Sequence, residues 1–134
     1  MPNGFYESKE IWDRMEAPLI ELDPILEEYA NEHDLAIDQN YHNWPSRSLE
    51  WSGNDISRKI QIYLGDDNKQ IFNLWIAAWQ DHEGKRYWKN DFLKKEVLIT
   101  EIKPNLRELL DQARTTVNSW QSSDLEFAVH LKGF

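Results

Sequence analysis

The chain contains no cysteine. That absence removes disulfides, thiolate zinc sites and a cysteine nucleophile together. Glycine is scarce, at 5 of 134 residues, and none of Gly-x-Gly-x-x-Gly, Gly-x4-Gly-Lys-Ser/Thr, His-Glu-x-x-His or Gly-x-Ser-x-Gly occurs, so the usual backbone cradles for phosphates and the common hydrolase signatures are missing. No run of apolar residues approaches the roughly 18 to 20 needed to cross a bilayer, and Met1 to Glu7 has no basic region followed by an apolar one. Basic charge is also short: 15 Lys and Arg face 24 Asp and Glu, for a net charge of −9. Phosphate backbones demand the opposite sign. The expectations are a cytoplasmic protein that binds neither nucleic acid nor membrane, with no cofactor and no structural metal.

What the chain has in quantity is aromatic side chain: 7 Trp, 5 Tyr and 5 Phe within a 40% hydrophobic composition. This is enough apolar area to offset the conformational entropy of one core, expected to span residues 1–134 as a single domain.

Two helical regions are legible. Trp12, Met15, Leu19, Leu22, Leu26, Tyr29 and His33 recur at spacings of three and four, the mark of a core-facing helical stripe. Pro18 and Pro24 interrupt it, and Asp23-Pro24 reads as an N-cap followed by proline at the first helical position, so a kink or two consecutive helices is expected. Glu27, Glu28, Glu32 and Asp34 place negative charge against the macrodipole at the end of this region, at a small cost that Lys or Arg elsewhere can relieve. From Pro104, Leu106, Leu109, Leu110, Ala113, Val117 and Trp120 line a second helical face.

Between these regions the spacing predicts strands at about 48–52, 56–65, 70–81 and 86–93, joined by Gly53-Asn54-Asp55, Asp66-Asp67-Asn68-Lys69 and His82-Glu83-Gly84-Lys85. Such short connectors favour an antiparallel meander. Residues Asp38 to Arg47 lack periodicity and read as the longest loop; Leu125 to Leu131 alternates and reads as an edge strand, with a short helix as the alternative. The fold class is therefore α+β, a two-layer sandwich of a four- to five-stranded antiparallel sheet with the kinked N-terminal segment and the C-terminal helix on one face. The element order alone is like that of TBP-like or helix-grip folds.

Centring the hairpins on Asp67-Asn68 and Glu83-Gly84 pairs Trp75 with Ile60 and Phe92, and Trp79 with Trp88. One face then carries Ile56, Ile60, Ile62, Leu64, Ile71, Trp75, Trp79, Trp88 and Phe92, and becomes the helix-covered core. The other carries Lys59, Gln61, Tyr63, Phe72, Leu74, Ile76, Gln80, Tyr87, Lys89 and Asp91. An apolar centre on an uncovered face marks Tyr63, Phe72, Leu74 and Ile76 as an interface for a protein partner or a homodimer.

Two functions from different classes follow. The first is a noncatalytic binding protein that presents this sheet face and the loop holding Tyr41, His42 and Trp44, the acidic charge favouring a basic partner. The second is a small-molecule-binding domain or enzyme whose pocket lies between the helices and the Trp-rich face, with Arg58, Asn73 and Asn90 converging beside Trp75 and Trp88. Asp81-His82-Glu83 and Asp66-Asp67-Asn68 read as polar turns, since adjacent strand residues point to opposite faces and a calcium loop needs a central Gly and a terminal Glu that are missing.

Overall fold

The computed structural model describes residues 9–39, 45–66 and 71–127. Tyr41, His42, Trp44, the Asp67-Asn68 turn and residues 128–131 lie outside the described residues. Helices α1 (Lys9–Ile20) and α2 (Asp23–His33) are followed by strands β1 (Ala36–Gln39), β2 (Ser46–Gly53), β3 (Ile56–Asp66), β4 (Ile71–His82) and β5 (Lys85–Leu98). A single turn, α3 (Ile99–Ile102), and a 3-10 turn lead into α4 (Leu106–Ser119), and β6 (Glu126–Phe127) pairs with β5. The six strands form one antiparallel sheet in sequence order, β1 to β6. Among the described residues, no helix is long and apolar enough to cross a membrane.

The proline-broken stripe resolves into two helices. Glu21 and Leu22 form the turn between them, Pro24 sits in the first turn of α2, and Leu22, not Asp23, flanks its start without a capping side chain. The Asp23 carboxylate is instead taken by Arg47. Met15, Leu19, Leu22, Leu26 and Tyr29 are buried, as are Leu106, Leu109, Leu110, Ala113, Val117 and Trp120 of the second stripe. The acidic end of α2 is met from α4, where Arg107 pairs with Glu28 and, at 3.0 Å, with Glu32.

Strand β1 runs into the start of the loop expected from Asp38 to Arg47. All four of its residues are exposed, so no apolar alternation marks it in the sequence; it is held by antiparallel pairing with β2, Ile37 opposite Leu49. Asn54-Asp55 and Glu83-Gly84 turn tightly with positive φ at both positions (56° and 64°, 52° and 77°), the backbone of two-residue hairpins that matches strand twist.

Two buried arginines rivet the helices to the sheet. Arg47 on β2 is 2% exposed; its Nε donates to Asp23 Oδ1 at 2.7 Å and its Nη1 lies 3.1 Å from Glu16 Oε2, tying the junction of α1 and α2 to the sheet. Arg58 on β3 donates to carbonyl oxygens: Nε to Val117 at 3.2 Å, Nη2 to Trp120 at 3.1 Å and Nη1 to Gly53 at 3.2 Å. A cation at the C-terminal end of α4 satisfies orphan carbonyls and complements the helix macrodipole. Arg58 therefore clamps the end of α4 to the sheet and lies on the face opposite Asn73 and Asn90, with which it was expected to converge. Arg58→Ala strands these carbonyls and removes a buried stem, so it should lower stability by about 3 kcal/mol in urea unfolding; an unchanged midpoint would show that the end of α4 is held by other contacts.

Candidate functional site

Register decides which side chains share a face, because the strand period is two and a slip of one residue exchanges the faces. In the structure Ile60 pairs with Ile76, Ile62 with Leu74 and Leu64 with Phe72, while Trp75 faces Gln61. The expected pairing of Trp75 with Ile60 is off by one residue. The bulge between Leu64 and Asp66 accounts for the difference, since the turn then closes on Asp66 and Ile71 and not symmetrically about Asp67-Asn68. Gly65 permits it: a Cβ there would stand 2.8 Å from Asn73 Nδ2.

Phe72, Leu74 and Ile76 consequently lie under the helices at 0–1% exposure, joining Ile56, Ile60, Ile62 and Leu64 in one aliphatic layer. They are core side chains and not the exposed interface expected of them, since the helices seal them from solvent. The expected pairing of β4 with β5 is the observed one: Trp75 faces Phe92 and Trp79 faces Trp88. The whole aromatic set therefore moves to the second sheet face, on the side away from α1, α2 and α4. The helices and the Trp75 to Trp88 cluster lie on opposite faces, so no cavity can lie between them.

Across that second face, register aligns three rows. Asp38, Ser48, Gln61, Trp75 and Phe92 form the first; Ala36, Glu50, Lys59, Ala77 and Asn90 the next; Ser52, Ser57, Trp79, Trp88 and Glu126 the third. The face is thus divided, with small and polar residues on β1 to β3 and paired aromatics on β4 and β5. Trp75, Trp79, Trp88 and Phe92 are all half-buried. Trp75 Nε1 donates to Asn90 Oδ1 at 3.1 Å, reaching over the row of Ala77, whose side chain is fully covered. Arg86 lies 5.7 Å from the Trp79 ring centre and grips Asp81 with two bonds of 2.7 and 2.9 Å; Lys95 stands 4.7 Å from the Phe92 ring. Hydrogen bonding to Arg86 pulls the Asp81 carboxyl below its usual pKa. The two aromatic pairs are separated by four residues of strand, about 13 Å, with a neutral middle and charges paired at the margin.

The polar half is more deeply buried than its composition suggests. Ser46, Ser48, Lys59 and Gln61 are only 2–8% exposed. The Lys59 Nζ lies 4.0 Å from Glu50 Oε2. Burial pushes its pKa down, while the fields of Glu50 and Asp38 pull the other way. Burial likewise raises the Tyr63 phenol, partly offset by its hydrogen bond with Asn73.

Of the residues expected to bind a ligand, Asn73, Trp75, Trp88 and Asn90 share this face and Arg58 does not. Asn73 has a local task, accepting from the Glu96 N–H at 3.0 Å and so holding the β5 bulge at which Glu96 takes a φ of 53°. Among the interface candidates only Tyr63 lies on the second face. Trp79 and Phe92 stand in the aromatic rows that the β4 to β5 hairpin register implies, and Arg86, Asp81 and Gln61 join them on this face with no mark in the sequence beyond that register. His82 and Glu83 form an exposed pair, 3.5 Å apart, at the hairpin end, and among the described residues no three His, Asp or Glu side chains are grouped to hold a metal. Comparison with protein-family models, curated proteins and solved structures finds no match.

Two stability measurements follow from this placement. Trp75→Ala and Trp88→Ala should each cost about 1 to 2 kcal/mol and leave a folded protein, well short of the roughly 3 to 5 kcal/mol of a fully buried aromatic; losses of the larger size in denaturant melts would return these rings to the core. Lys59 imposes a penalty that is full below its lowered folded pKa and fades as pH rises towards the ordinary lysine value of 10.5. Lys59→Met should therefore stabilise the fold by about 1 kcal/mol at neutral pH and flatten the rise in stability on the alkaline side; a destabilised variant would mean that the ion pair with Glu50 outweighs the cost of burial.

Proposed function

We propose that this chain is a noncatalytic binding protein that meets another protein with the aromatic half of its second sheet face. The observation that carries the reading is the pair of cross-strand couples, Trp75 with Phe92 and Trp79 with Trp88, half-exposed on the face opposite the helices with Arg86 beside them. Trp and Arg dominate the energetics of protein interfaces because each combines a large apolar area with a directed polar group. The rings are held by neighbouring strands and by the Asn90 and Asp81 contacts, so little side-chain freedom remains to be lost on binding.

Charge acts at longer range. The face pairs its own ions, Arg86 with Asp81 and Lys59 with Glu50, while exposed Glu10 and Glu27 on α1 and α2 contribute to the net charge of −9. A basic partner is steered by this field and held by the aromatic face, so its association slows as salt rises.

A photo-crosslinking residue at Asn90, exposed on the second face, tests the site in cells that make the protein, with the same residue at Thr115 on the exposed side of α4 as control. Asn90 should give a discrete adduct that Thr115 does not, abolished by Trp79→Ala or Trp88→Ala; an adduct of twice the chain mass identifies a homodimer. Adducts equal from both positions, or indifferent to the Trp substitutions, would remove this face from the function.

A further inference from the structure

We draw no further inference here: the strongest candidate, the shallow cavity of about 270 Å³ between Lys94 and Val97 of β5 and Glu108 and Leu109 of α4, carries nothing, because its lining mixes both charge signs with apolar side chains and nothing in the structure shows what covers it.

Discussion

The pairing of β3 with β4 in a register that sets Ile60 against Ile76 is the constraint on which the rest of this structure depends. With that register, Ile56, Ile60, Ile62, Leu64, Phe72, Leu74 and Ile76 gather on one side and are sealed by the helices to 3% exposure or less. Shifted by one residue, the same two strands would split this aliphatic set between faces and put bulky indoles, each with an N–H needing a partner, under helices that supply mostly Leu. The bulge at Gly65 and the Asn73 side chain that closes on it make the favoured register compatible with the turn. A small local irregularity thus decides which face holds the core.

Once the aliphatic layer is fixed, charge and hydrogen bonding position the helices over it. Arg47 and Arg58 come from the sheet and reach to the α1 to α2 junction and to the end of α4 respectively. Both are buried cations, costly unless their donors are satisfied; one is met by carboxylates and the other by carbonyls at a helix terminus. Between the helices, the Tyr29 hydroxyl donates to Asp111 at 2.6 Å and accepts from Arg114 at 3.0 Å, and burial raises the Tyr29 pKa. These contacts fix orientation, while the apolar stripes of α2 and α4 supply the burial.

Much of this was legible in the sequence, for reasons that differ by element. The helical stripes are strong signals because seven or six apolar or large residues repeat at helical spacing, and the tight turns carry Asn, Asp and Gly at three of their four positive-φ positions. Strand β1 was illegible, as four exposed residues have no hydrophobic period to show. The β3 to β4 register failed for another reason: a symmetric two-residue turn at Asp67-Asn68 and a bulged, longer connection leave the same local pattern, and β4, apolar at nearly every position from Ile71 to Trp79, fits either face by composition. Alternation cannot discriminate when both parities are apolar. Arg58 shares the helix-covered face with Ile60 in either register, and a polar residue on a core face reads as part of a pocket until the helix end it clamps is seen.

The aromatic face is thus a by-product of the register. Because the chain has no cysteine of its own, an engineered pair reports the register without interference. Lys59 and Ala77 face each other directly in β3 and β4, close enough for a disulfide across neighbouring strands. The double variant Lys59→Cys, Ala77→Cys should oxidise readily and remain folded; a pair that stays reduced, while Lys59→Cys with Ile76→Cys crosslinks instead, would contradict the register and return the tryptophans to the helix-covered side.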